Sequence, residues 1–221
     1  LFHRQAIDYG VYPLRDAGSP RHGEFSVPHV LDGITSMTYT TAHVRMPESV
    51  VMNVKNSSWR ITAVIDTTTN DHGVIACQGG NMAGWSLYLT PETRPVFHYN
   101  LFGHEHFVFA SAQSLAAGRH TISLDFAYDG GFGAGGTLVM SVDDHDVAGG
   151  RIDKTVPLVY SMSGETFDVG IDTGSPVGNY PHDYRCTAHI EGVTIERLSE
   201  VPPDVAERVR EGMFVASLST Q

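Results

Sequence analysis

The chain has 221 residues and a mean hydropathy of −0.12, enough for one well-cored domain, and it lacks the run of about 18 apolar residues that a membrane span needs. Lys and Arg number 14 against 25 Asp and Glu, a formal charge of −11 with no basic run, which excludes the footprint of a nucleic-acid binder and repels anionic membranes. Only 18% of residues are charged, while 23 are Gly and 10% are aromatic, a balance that favours β structure with many turns over disorder.

In chain order, residues 1–9 read as a short helix, with Phe2, Ala6 and Tyr9 on one stripe and Gly10 as its stop. Residues 18–29, with Gly18, Pro20, Gly23 and Pro28, read as an extended connector. Residues 59–66 alternate with period two: Trp59, Ile61, Ala63 and Ile65 on one face, Arg60, Thr62, Val64 and Asp66 on the other. Short strands follow at 73–78 and 84–90, then a hairpin of 96–101 and 106–111 about Gly103. Residues 120–128 alternate again, with His120, Ile122, Leu124, Phe126 and Tyr128 inward. Residues 137–143 turn at Asp143-Asp144-His145 into 146–149, and strands at 167–171 and 189–197 close the series. About ten to twelve strands with no helix between them predict an all-β, two-sheet antiparallel jelly-roll sandwich with short helices at both termini. Its expected core is Trp59, Ile61, Trp85, Leu87, Ile122, Leu124, Phe126, Val142, Val193 and Ile195. After Pro202-Pro203, Asp204 and Glu207 form a capping-box-like pair, and Val205 and Val209 share one face of a C-terminal helix.

The chemistry-bearing motifs are few. The glycine-rich 128–136 segment is followed by a strand, not by the helix a phosphate-binding loop requires, so it reads as a hairpin turn. His104 and His106 fall on one side of a strand or turn, two imidazoles short of a metal-ligand set. Asp168 and Asp172 stand four apart around Gly170, with Gly174 and Pro176 beyond. Glycine permits the turns and proline fixes the exit, so both carboxylates are expected to accept hydrogen bonds from the loop, Tyr180 or Arg185; calcium ligation is the alternative. There is no G-x-S-x-G elbow and no acidic run of sandwich-glycosidase type. Cys77 and Cys186 are too few for a disulfide scaffold or a thiolate zinc site. They are expected as separate thiols, which favours the cytoplasm over an oxidising compartment. The chain starts at Leu1 and reads as a piece of a longer protein.

Several pieces, in order, carry a resemblance: residues 53–63, Ala76-Cys77-Gln78-Gly79-Gly80, residues 84–88, Tyr99-Asn100, residues 118–121, Tyr128-Asp129-Gly130-Gly131 and residues 168–177. Together they resemble the C-terminal concanavalin/laminin-G-like sandwich of bacterial arylsulfatases, and residues 1–14 resemble the end of the catalytic domain before it. The resemblance implies three regions: 1–28 as the end of that catalytic domain and a linker, 29–198 as the sandwich, 199–221 as a helical tail. It implies a parent that hydrolyses sulfate esters with formylglycine and a divalent metal, calcium or magnesium. The C/S-x-P-S-R pentapeptide that yields formylglycine is not in this sequence, so no catalytic residue and no cofactor is assigned to it. The implied partner is the sulfatase catalytic domain, with self-association through Phe2, Ile7, Tyr9, Val11 and Leu14 as the consequence of its loss. The alternative from another class is a carbohydrate-binding, lectin-like module, whose sugar face would draw on Tyr88 and Tyr99, with Phe107 and Phe109.

Overall fold

The computed structural model describes residues 2–9, 31, 33–161 and 164–219. Eleven strands among these residues form two antiparallel sheets. They are β1 (Ser36–Tyr39), β2 (Trp59–Thr67), β3 (Gly73–Gly79), β4 (Gly84–Leu89), β5 (Pro95–Leu101), β6 (Glu105–Ala110), β7 (Gly118–Tyr128), β8 (Ala134–Val142), β9 (His145–Lys154), β10 (Phe167–Val169) and β11 (His189–Arg197). One sheet runs β1-β11-β2-β7-β8-β9 and the other β10-β3-β4-β5-β6. This is the two-sheet jelly-roll sandwich that the alternating segments predict.

Register follows from the period-two pattern, because a slip by one residue would turn every apolar side chain to solvent. Ile61 of β2 lies opposite Leu124 of β7 and Ile195 of β11, and all three are fully buried. On the other face of the same strands, Arg60 stands opposite Asp125 and donates to it over 2.7 Å. Trp59 stacks on Phe126 at 5.2 Å and meets Phe97 of the facing sheet at 6.0 Å. The turn from β8 to β9 has Asp143 and Asp144 at φ +49° and +64°, the handedness that two-residue hairpins need to match strand twist.

Nine of the ten expected core residues are buried; Val142, near the end of β8, is only partly so. β1 has no counterpart among the predicted strands. Only four residues long, it exposes Ser36 and Thr38 and turns Met37 and the fully buried Tyr39 to the core, and pairing with β11 along the sheet edge makes it a strand. The glycine-rich segment is the β7–β8 turn, closed by the Tyr128 hydroxyl, which donates to the Gly131 carbonyl at 2.8 Å and accepts from the Ala134 N–H at 2.9 Å.

Helix α1 (Phe2–Asp8) exposes Ile7, and Tyr9 beyond its end is exposed too; Val11, Leu14 and the 18–29 connector lie outside the described residues. Helix α2 (Pro203–Ser219) buries Val205, and its Arg208 guanidinium lies 4.4 Å above the Phe132 ring in the β7–β8 turn. Among the described residues no helix is long and apolar enough to cross a membrane.

Candidate functional site

The five-stranded sheet is buried on both faces over β3, β4 and β5. One face meets the other sheet; the outer face is covered by residues 170–188, the segment between β10 and β11. Its ends are fastened by backbone. Gly170 N–H donates to the Ile75 carbonyl at 2.9 Å, Cys186 N–H to Gly170 at 2.8 Å, and Val74 N–H to Tyr184 at 2.8 Å. At Gly73, φ is +109°, and a Cβ would stand 2.1 Å from the Arg185 carbonyl oxygen, so only glycine lets the strand and segment meet. Val74, Cys77, Tyr88 and Val96 from the sheet then pack with Val177, Tyr180 and Tyr184 as a second, smaller apolar cluster.

Two buried carboxylates hold this segment. Asp168 accepts from the Arg45 N–H, from the Thr173 N–H at 3.1 Å and hydroxyl at 2.8 Å, and from the Thr166 hydroxyl at 3.3 Å. Asp172 accepts from the Tyr180 hydroxyl at 2.8 Å and from the Gly174 and Val177 N–H groups at 3.3 Å each. Burial raises the Asp172 carboxyl above its ordinary range, against the pull of those three donors, and Asp168 beside it adds to the rise. Tyr180 is a partner as the sequence suggests. Arg185 is not: its backbone is taken up by Asp183 and the bridge to Val74, and that pairing directs it along β3.

Cys77 completes a cluster in which one ligand atom from each of Cys77, Asp168 and Asp172 lies within 4.8 Å of the others. The donor set suits calcium poorly. Calcium takes six to eight oxygens. Here all four carboxylate oxygens already accept hydrogen bonds. The third group is a thiol pushed well up by burial and by both carboxylates. Cys77 and Cys186 are both free, and burial pushes the Cys186 thiol up to about 11.

Beside the clamped segment the outer face of β6 stays open, next to the buried outer face of β5. A cleft of 510 Å³ lies there, walled by residues 176–179 and floored by the strands, with Asn81, His98, Asn100 and His106 on its surface. Alternation along β5 sends His98 and Asn100 outward, and the register places Asn100 opposite His106 and His98 opposite Val108. The His98 Nε2 and His106 Nδ1 atoms lie 2.8 Å apart and share a hydrogen bond. The Asn100 amide donates to the Gly80 and Asn81 carbonyls at 3.2 and 3.0 Å, and its oxygen accepts the Gly103 N–H at 2.8 Å, so it braces two turns at the rim. Gly178 comes so close that a Cβ there would be 2.9 Å from His98 Nδ1.

Burial pulls His98 down to about 4, and the neighbouring His106 pulls in the same direction. A histidine lowered in the folded state is protonated first in the unfolded chain. Its contribution to stability is complete above its ordinary value near 6.5 and is lost as pH falls from about 6.5 to about 4. The loss amounts to about 3 kcal/mol at most. Urea melts across that window should show the fall in the native protein and a flatter profile in His98→Gln; parallel profiles would remove the assignment.

The proposed sugar face needs correction. Tyr99 is 3% exposed and points between the sheets, where its hydroxyl accepts the Val156 N–H at 2.8 Å. Tyr88 is 8% exposed and lies under the 170–188 segment, edge-on to Tyr180 at 4.9 Å. Successive strands send them to opposite faces, and neither ring is open to a ligand. Phe107 and Phe109 are half-buried against the main core. His104 and His106 are also separated. His106 joins His98, whereas His104 faces a different hollow, beside Phe102 and Lys154. The sequence reading missed His98; its signal is the Val96-His98-Asn100 alternation on a strand whose hairpin partner brings His106.

No family model and no curated protein matches this chain. Solved structures do match. The CBM40 module of the Ruminococcus gnavus IT-sialidase, solved with α2,3-sialyllactose, aligns at TM-score 0.50 and 13% identity over 78% of this chain and 91% of its own. Domains LG4-5 of the mouse laminin α1 chain align at TM-score 0.45 and 14% identity over 76% of this chain and 42% of theirs. A heptameric SAP-like pentraxin from Limulus polyphemus aligns at TM-score 0.40 and 10% identity over 79% and 82%. The fold is thus of the two-sheet sandwich type found in the CBM40 module. None of these matches shows a sulfatase origin.

Proposed function

We propose that this chain is a carbohydrate-binding module whose ligand seats in the cleft between β5, β6 and residues 176–179. The observation that carries this reading is the cleft's composition: the exposed amides of Asn81 and Asn179 and the exposed His106 imidazole, able to donate and accept, beside the half-buried ring of Pro176. A sugar offers the complement, hydroxyls around an apolar ring face. Val108, 52% exposed, pairs in register with His98 and adds apolar surface on β6 beside the cleft. The sandwich it shares with a sialidase module solved with a bound trisaccharide supports the same ligand class.

The test is a nitrogen-15 NMR titration of the protein with a panel of mono- and oligosaccharides. At least one should shift the amides of residues 98–106 and 177–179 together, and His106→Ala, an exposed position, should weaken that ligand about tenfold. Shifts confined to another surface, or none with any saccharide, would end this reading.

A second reading rests on the exposed apolar residues Ile7 and Tyr9 next to the sulfatase-like N-terminal segment. In it the chain is a support for a sulfatase catalytic domain and is itself inactive. Hydrolysis of nitrophenyl sulfate by the chain alone should stay at background, and co-purification with a sulfatase domain encoded directly upstream would favour this reading over the first.

A further inference from the structure

We infer that the cleft selects uncharged saccharides and rejects sialylated, sulfated and other acidic glycans. This rests on the carbohydrate-binding reading and adds the class of sugar.

Among the described residues lining the cleft there is no Lys or Arg; its side chains are Asn, His, Pro and Val beside a glycine. An anionic group entering such a hollow gives up water and finds no opposite charge, which costs several kcal/mol unless charge-assisted bonds replace it. A sugar hydroxyl loses far less, because neutral donors and acceptors replace its water one for one.

The imidazole pair enforces neutrality. His98 is 4% exposed, and its Nδ1 is buried with no hydrogen-bond partner. A buried bare lone pair is better tolerated than a buried N–H without an acceptor. That assigns the proton to His98 Nε2, which then donates to His106 Nδ1 across the 2.8 Å contact. With Nδ1 accepting, neutral His106 carries its proton on Nε2. His106 therefore offers the cleft an uncharged donor, held in orientation by a ring that cannot itself move toward a ligand. A protonated pair, which could have answered a carboxylate, is opposed by the burial of His98.

The rim adds repulsion. The Asn81 N–H donates to the Ser175 hydroxyl at 2.9 Å, and that hydroxyl donates to the Glu165 carboxylate at 2.6 Å, so an acidic charge stands one hydroxyl behind the rim. That carboxylate is part of the acidic excess behind the formal charge of −11, and it opposes an approaching anion.

The experiment compares matched pairs by NMR titration and calorimetry: lactose with its α2,3- and α2,6-sialyl forms, and the best neutral ligand of the panel with its sialylated or sulfated form. In each pair that shifts the cleft amides, the acidic member should bind at least about tenfold more weakly. Asn179→Lys places a cation on an exposed wall residue and should narrow that gap several-fold, while a surface Lys placed far from the cleft should not. An acidic glycan that shifts the cleft amides with equal or higher affinity than its neutral parent overturns the inference and leaves the carbohydrate-binding reading standing. Failure of every saccharide, neutral and acidic, to shift these amides overturns both.

Discussion

Trp85→Ala should lower stability by about 3–5 kcal/mol, among the largest losses expected of any single truncation in this chain. Trp85 is 1% exposed near the start of β4, with Phe97 at 6.4 Å and Phe167 at 6.2 Å between ring centres. Its indole N–H donates to the Gln78 side-chain oxygen at 3.1 Å, and Gln78 is itself buried. The alanine variant therefore loses apolar burial, leaves a cavity between two aromatic rings and strands a buried acceptor. In a domain of this size the midpoint temperature should fall by roughly 6–20 °C. Trp85→Phe keeps most of the ring but not the N–H, and should cost about 1–3 kcal/mol. Equal losses in the two variants would show that the hydrogen bond to Gln78, rather than packing, holds this site together.

Asp168→Ala should cost a similar amount, about 3–5 kcal/mol, by a different route. The side chain is 1% exposed and serves four donors drawn from Arg45, Thr166 and Thr173. Removing it leaves two backbone N–H groups and two hydroxyls in a half-buried setting without their acceptor. Asp168 lies on β10, whose pairing with β3 continues into the covering segment through the Gly170–Ile75 bond. The variant should therefore loosen residues 170–188 before the sandwich unfolds, seen as faster hydrogen exchange at Val74, Val177 and Cys186 than in the main core. Cys77, now fully buried, should also become reactive to a thiol reagent. A calcium-dependent rise in the native protein's melting temperature, abolished by chelator, would contradict the hydrogen-bonding role assigned to the carboxylates. So would an Asp168→Ala protein with unchanged exchange.

The strands were legible where alternation is regular. Residues 59–67 and 118–128 each have one face in the core and one in water, so the hydrophobic period marks both the element and its orientation. Turns were legible where a residue type is demanded, as at Gly103, φ +66°, and at Asp143-Asp144. The clamp residues Asp168 and Asp172 could be singled out because turn formers crowd them, though their partners could not all be named: Arg45 lies 123 residues away in sequence.

The cleft was not legible, and the reason is the covering segment. β3, β4 and β5 are buried along their whole length, so nothing in their pattern tells the inner face from the outer one. Tyr88 and Tyr99 look alike in sequence, yet one lies beneath residues 170–188 and the other between the sheets. His98 looks like an isolated histidine until the β5–β6 register brings His106 to it and Gly178 closes over it. The sequence by itself determined the sandwich, its acidic charge, its principal hairpins and its main core, because those depend on local period and turn chemistry. Which face of the second sheet is covered, which tyrosines are lost to packing and which neutral side chains line an open cleft were decided only by tertiary structure. Each depends on where a segment some 90 residues downstream of β3 comes to rest, as the Val74–Arg185 and Cys77–Ile171 contacts record.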